Sequence, residues 1–229
     1  MKKILILARY NENIEWCLNL NFIDQIIIIN KGMPLENYKN IIINNLPNFG
    51  RESNSYLNYI IKNYNEIEKN NIYIFSQANP FDNSLNFVQK ILSITEFTGC
   101  FPLSDIVSKE SIFALKRPGD ITIPNGLPFI NYYNHLFFNE NLIVGNNSYI
   151  NFHCNGLWAV SGENLLFRNR EFYEHCLTLI KSSANPIEGY LFERLWQFIF
   201  DGTTLDWHSH YQEIRKKYIG GIYKNSIIE

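Results

Sequence analysis

The sequence predicts an α/β protein, with a mostly parallel sheet flanked by helices. Two observations carry that prediction. Three strand-like runs, Ile4 to Ala8, Asp24 to Ile29 and Ile72 to Phe75, each end in a dense polar cluster. Between and after them, apolar residues recur at helical spacing. Alternating strand and helix signals imply βαβ units with right-handed crossovers. In open sheets of this kind, ligands bind outside the carboxyl ends of the strands. Three polar strand ends therefore predict one composite pocket.

Each element follows from local pattern. Ile4 to Ala8 is a continuous apolar run, which suits a strand covered on both faces. Glu12 to Leu20 reads as a helix, with Ile14, Cys17 and Leu18 on one face and Asn11 as its N-cap. Ile26 to Ile29 is a second buried strand and Ile41 to Ile43 a short third one. Leu46-Pro47-Asn48-Phe49-Gly50 is a loop by composition. A helix follows over 52–66, with Tyr56, Tyr59, Ile60 and Tyr64 at helical spacing. After the strand Ile72 to Phe75, Ser84 to Ser93 reads as a helix with Leu85, Val88 and Leu92 aligned. Residues 99–148 lose periodicity. Pro102, Pro118, Pro124 and Pro128 interrupt them, and aromatics gather at Phe129, Tyr132, Tyr133, Phe137 and Phe138. That pattern predicts an irregular insertion or acceptor-side lid rather than a second domain. Gly156 to Ser161 reads as a strand and Glu171 to Lys181 as a helix with Phe172, Cys176, Leu179 and Ile180 inward. Ile187 to Phe200 is the strongest helix, with Leu191, Leu195, Trp196 and Ile199 as its stripe. The expected organisation is a single α/β domain over 1–200 and a peripheral tail over 201–229.

Composition narrows the function classes. A chain of 229 residues with 46% hydrophobic and 18% charged content has material for a full core and is not of disordered type. A formal net charge of −2 supplies no general attraction to polyanions, so no nucleic-acid partner is expected. Cys17, Cys100, Cys154 and Cys176 show no CxxC spacing and read as buried, reduced thiols. The apolar run after Met1-Lys2-Lys3 is too short for a signal-peptide core, and the expectation is a soluble, cytoplasmic protein. Aromatic content of 15% leaves room for a pocket lining or a peripheral membrane contact. There is no G-x-G-x-x-G, P-loop lysine motif or G-x-S-x-G elbow, which disfavours dinucleotide, P-loop and serine-hydrolase chemistry.

Four constellations carry candidate chemistry. Arg9-Tyr10-Asn11-Glu12 offers a ring to stack on a base and polar groups to read its edge; its plain alternative is a capped helix start. Gly50-Arg51-Glu52-Ser53 places a guanidinium where a loop becomes a helix, suited to a diphosphate or to a surface ion pair. Ser76-Gln77-Ala78-Asn79-Pro80-Phe81-Asp82 fans polar groups from a strand end, with Asp82 as a divalent-ion ligand or simply part of a turn. Glu188 opens the last long helix and Glu193 lies five residues on, about 500° of rotation away, so the two do not form a working pair. Glu188 suits a base that deprotonates a sugar hydroxyl, or a first-turn acid that favours the helix dipole. His208-Ser209-His210 is a weak chelating pattern.

In their order along the chain, these segments resemble the family of domain of unknown function 3431, which is itself similar to glycosyltransferases of the GT-A type. The segments are Ala8-Arg9-Tyr10-Asn11-Glu12, Asn30-Lys31-Gly32, Leu46 to Ser53, Phe75 to Asp82 and Glu188 to Trp196. The resemblance implies a Rossmann-like GT-A sheet that binds a nucleotide-sugar donor at its strand ends. It implies transfer of the sugar to a glycan, glycolipid or glycoprotein precursor, as in polysaccharide biosynthesis. By position, Arg9, Tyr10, Asn11, Glu12, Lys31, Arg51, Gln77 and Asn79 would bind the donor. Asp82 would stand where the family type carries its metal-binding Asp-x-Asp, with Mn2+ or Mg2+ as the metal. That motif is incomplete here, so metal-independent activity with Arg9, Lys31 or Arg51 offsetting diphosphate charge is the alternative. Trp158 and Glu193 would border the acceptor, and Glu188 would be the catalytic base of an inverting reaction. Two rivals remain: a non-catalytic nucleotide- or carbohydrate-binding module on the same fold, and more weakly a nucleotidyltransferase.

Overall fold

β-Branched residues pack well on a sheet buried on both faces, and the isoleucine runs of this chain form its centre. The computed structural model describes residues 1–111, 149–180 and 183–201. Of the lid expected over 99–148, residues 112–148 lie outside them, as do His208-Ser209-His210 and the tail beyond Asp201. The main sheet has six strands: β1 (Lys3–Arg9), β2 (Gln25–Asn30), β3 (Ile41–Asn45), β4 (Ile72–Gln77), β5 (Cys100–Pro102) and β8 (Trp158–Ser161). Their order is β3-β2-β1-β4-β8-β5. β3, β2, β1 and β4 run parallel, whereas β8 is antiparallel to β4 and β5. A separate antiparallel pair joins β6 (Val107–Ser111) and β7 (Tyr149–His153). The architecture is a mixed, mostly parallel, Rossmann-like α/β sheet flanked by helices.

The helices are α1 (Arg51–Lys62), α2 (Phe87–Ser93), α3 (Gly162–Leu165), α4 (Arg170–Thr178) and α5 (Ile187–Asp201). α1 packs on β1 and β4 and against α4 and α5. Tyr73 and Phe75 share one face of β4 by strand alternation. Tyr59 of α1 packs on both rings, Tyr56 on Phe75, and Phe200 of α5 stacks on Phe75 at 5.6 Å. Trp196 stacks on Phe200 at 5.0 Å and Tyr56 lies 5.7 Å from Trp196. This aromatic cluster fuses α1, α5 and the sheet. The expected stripe of α5 is fully buried, and Phe192, Phe198 and Phe200 are buried as well. Glu188, Arg194 and Gln197 are buried on the same helix, so its polar positions are drawn inside with its apolar ones.

Several expectations need correction. The helix expected over Glu12 to Leu20 is one 3-10 turn, Glu15–Cys17. Asn13 Oδ1 accepts from Glu15 N at 2.7 Å, an Asx-type turn that competes with helix. Asn11 does not cap it; its Oδ1 accepts from Met33 N at 2.9 Å. The helix expected over 84–93 starts only at Phe87, because the Ser84 hydroxyl is held by Leu103 O and Lys90 Nζ. Leu85 is 80% and Leu92 54% exposed, while Phe87, Lys90 and Ile91 face inward. The helix expected over 52–66 stops where the Asn63 amide donates to Tyr59 O, and a 3-10 turn, Tyr64–Glu66, follows. Within the expected irregular insertion, residues 100–102 form β5 and close the sheet edge. Cys17, Cys100 and Cys176 are buried free thiols, as expected, and burial pushes Cys17 up to about 12. Among the described residues, no helix is long and apolar enough to cross a membrane.

The aromatic cluster makes a direct prediction. Phe200→Ala removes the ring wedged between Phe75 and Trp196 and should lower unfolding stability by about 3–5 kcal/mol in a denaturant titration. A loss below 1 kcal/mol would mean that these rings do not organise the core.

Candidate functional site

Parallel strands all point their carboxyl ends to one edge, so the polar clusters after β2, β1 and β4 meet there. β1 is flanked by β2 on one side and β4 on the other, so the strand order reverses between β1 and β4. The crevice at such a reversal is where open α/β sheets bind ligands. A cavity of about 380 Å3 lies at this edge. Ala8, Arg9, Tyr10 and Glu12 line it from the end of β1, Lys31 from β2, and Gln77, Asn79 and Asp82 from β4. Asn48, Arg51, Glu52, Ser55 and Ala184 complete the wall.

The edge is built by hydrogen bonds that span the strand ends. The buried Arg9 guanidinium donates through Nε to Glu12 O at 3.0 Å, and through Nη1 to Asn30 Oδ1 at 2.6 Å. Nη1 also donates to Tyr10 O and Met33 O. Asn30 in turn donates to Asn45 Oδ1 at 3.0 Å, which links the ends of β1, β2 and β3. The loops after β1 and β2 touch so closely that a Cβ on Gly32 would fall 1.6 Å from Tyr10 O. Only glycine fits there.

The loop entering α1 is strained. Gly50 and Arg51 have φ of 64° and 52°, and Arg51 is a non-glycine residue in the left-handed region. Such strain persists when surroundings over-determine it. Lys31 Nζ donates to Phe49 O and to Arg51 O, so it holds both sides of the kink. Gly50 N donates to Ser183 O at 2.8 Å, which brings the segment before α5 to the cavity. The Arg51 guanidinium lies 4.3 Å over the Tyr190 ring, and its Nε is 3.5 Å from Glu52 Oε2. Burial pulls the Lys31 amine down to about 8, against the opposing pull of Glu52. Beside Asp82, Asn79 Nδ2 donates to Oδ2 at 3.0 Å.

The structure brings together most of the residues singled out in sequence. Arg9, Tyr10, Glu12, Lys31, Arg51, Gln77, Asn79 and Asp82 share the cavity wall. Four do not reach it. Asn11 binds the neighbouring loop. Glu188 is buried in the first turn of α5, with Gly189 packed on the Arg51 side chain. Trp158 is buried in β8, paired with Phe75. Glu193 Oε1 accepts from Asn155 N, and burial raises its carboxyl although Arg194 pulls it down. Three polar wall residues were not singled out in sequence as ligand groups: Asn48, Glu52 and Ser55. Glu52 and Ser55 lie three apart on α1 and so share a face. The Ser55 hydroxyl is fully buried with no hydrogen-bond partner.

Asp82 is the candidate metal ligand that the segment after β4 places on this wall. Among the described residues no group of three or more His, Cys, Asp or Glu converges. Asp82 is the only carboxylate in the segment after β4, and Asn79 presents its N–H to it rather than a second oxygen to a cation. The chain was compared with protein-family models and with curated proteins, and it matches none.

Lys31 predicts a pH dependence. The folded chain releases this proton near pH 8, whereas the unfolded chain holds it to the ordinary value of 10.5. Between those values the unfolded state binds more protons, so stability from this group rises with pH. Wild type should therefore gain stability relative to Lys31→Met as pH climbs from 8 to 10, in chemical denaturation at each pH. A pH-independent difference would remove Lys31 as the titrating group.

Proposed function

We propose that this protein is a glycosyltransferase that binds a nucleotide-sugar donor in the cavity at the β1–β4 reversal. One observation carries the reading. Three loops far apart in sequence, after β1, β2 and β4, line one cavity together with the start of α1. That cavity mixes three cationic side chains, three carboxylates and several amides. A nucleotide sugar has matching parts: a charged diphosphate, a flat base and hydroxyl-bearing rings. Tyr10 is half exposed at the rim and offers a ring to the base. Arg51 and the remaining N–H of Lys31 offset diphosphate charge. Arg9 serves the site mainly as a clamp, since most of its N–H groups are held by backbone and Asn30.

The chemistry needs a base near the mouth. Asp82 is exposed on the wall and oriented by Asn79, whereas Glu188 lies outside the lining. In this reading Asp82 takes the proton from the acceptor hydroxyl. The acceptor oxygen forms the bond to the anomeric carbon, and the bond from that carbon to the diphosphate oxygen breaks. The nucleoside diphosphate leaves with the electron pair. In this reading the Rossmann-like sheet is of GT-A type and the reaction is a single displacement. The products belong to glycan, glycolipid or glycoprotein assembly. The second reading is a binding module without turnover, favoured by the structural commitment of Arg9 and Lys31.

Thermal denaturation with a panel of nucleoside diphosphates and sugar nucleotides, with and without Mn2+, tests the donor site. A ligand present at a hundred times its Kd adds about 2.7 kcal/mol of apparent stability. No shift with any of them at millimolar concentration would end the donor reading. Among variants, Asp82→Asn should reduce transfer by about 10²-fold or more while retaining donor binding. Loss of transfer in Glu188→Gln, with Asp82→Asn active, would return the base to Glu188. Donor binding without transfer to any acceptor would favour the binding module.

A further inference from the structure

A second depression of about 550 Å3 adjoins the first. Glu12 and Asn79 line both, so the two share a wall. Its remaining lining is Asn13, Glu15, Trp16 and Phe81. Asp82 follows Phe81 directly and lines the first cavity, so this carboxylate stands at the junction. We propose that this depression is a carbohydrate subsite, and that it receives the neutral or amino-sugar end of the acceptor glycan. The acceptor role rests on the donor reading above; the carbohydrate chemistry rests on the depression alone.

The lining argues for that ligand class. A sugar ring presents a face of C–H groups with a slight positive charge, and an aromatic face is negative. Hydroxyls at the ring edge both donate and accept hydrogen bonds, and carboxylates and amides match them. Here two aromatic side chains stand among two carboxylates and two amides. The indole is held in place before any ligand arrives. Trp16 Nε1 donates to Ala78 O at 2.8 Å, and the ring meets Phe81 and Phe87 edge-on at 5.4 and 5.7 Å. Such a platform orders little on binding, so little conformational entropy opposes it. Its cross-link to the segment after β4 also fixes the depression relative to the first cavity. Glu12 and Glu15 are both exposed on the rim, and like charges repel there. Uronic or phosphorylated sugars are therefore rejected, whereas neutral rings and protonated amino sugars are admitted.

Placing the acceptor here also explains the geometry of the base. A hydroxyl of a ring seated over Trp16 lies beside the shared wall, where Asn79 holds the Asp82 carboxylate. Trp158 and Glu193, assigned to the acceptor on sequence grounds, are committed to the core and to Asn155.

The test uses the full chain titrated with cellotriose, chitotriose and trigalacturonate, followed by tryptophan fluorescence and calorimetry. At least one neutral trisaccharide should bind and trigalacturonate should not. Phe81→Ala should weaken that binding by roughly five-fold, with thermal stability measured alongside to exclude misfolding. The fluorescence change should vanish in Trp16→Phe, although three other tryptophans remain. Glu15→Lys should admit trigalacturonate. Binding of neutral trisaccharides that is insensitive to Phe81→Ala, or no binding of either, overturns the subsite. If sugar nucleotides still bind in that case, the donor reading survives alone. If trisaccharides bind through Phe81 while no nucleotide binds, the donor reading and the acceptor role fall together and the carbohydrate subsite stands.

Discussion

The Arg9 guanidinium is the interaction on which the candidate site depends. Parallel strands end at one edge by topology, but topology alone leaves loops free to splay. Arg9 is buried at the end of β1 and donates to the loops after β1 and β2 and to Asn30. Asn30 passes the link to Asn45 at the end of β3. A buried charge is tolerated when its donors are paired, and here Nε and Nη1 both are. The same pairing limits what Arg9 offers a ligand. It shapes the cavity more than it neutralises the contents.

A second constraint acts from the other side of the cavity. The turn into α1 holds two successive left-handed residues, one of them Arg51. Lys31 reaches from the end of β2 to the carbonyls on both sides of that turn. The cation is thereby drawn from water, and its proton affinity falls. Strain and desolvation are coupled at one point on the cavity wall. α1 then carries Glu52 and Ser55 to the wall, while Tyr56, on the same helix, locks into the aromatic core. Cavity and core are thus two faces of one helix, and neither shifts without the other.

The two adjoining depressions divide the chemistry by wall composition. The inner one carries both signs of charge and suits a ligand with a charged centre and polar ends. The outer one carries aromatic rings and carboxylates without a cation, and suits neutral rings. Asn79 and Glu12 belong to both, so the two depressions share a wall. In the proposed reading the inner depression takes the donor and the outer one the acceptor.

The strands and their polar ends were legible in the sequence by itself, because apolar runs of this length and Asn, Lys and Gly clusters have local causes. Seven of the residues picked from those ends share the cavity, since parallel pairing forces such ends to one edge, and Arg51 joins them from the start of α1. What sequence could not decide was direction and depth. Glu188 read as a base or a first-turn acid and Trp158 as an acceptor-side residue, and the packing of α5 and β8 put both inside. Glu52 and Ser55 look like ordinary residues of the first two turns of α1 until the sheet is placed beside it. The expected helix after β1 gave way to an Asx turn and a Trp16 anchor on Ala78, a contact 62 residues away in the chain. Periodicity records which residues avoid water, whereas a cavity is a space between elements. Only the packing of those elements determines where the space lies and which side chains face it.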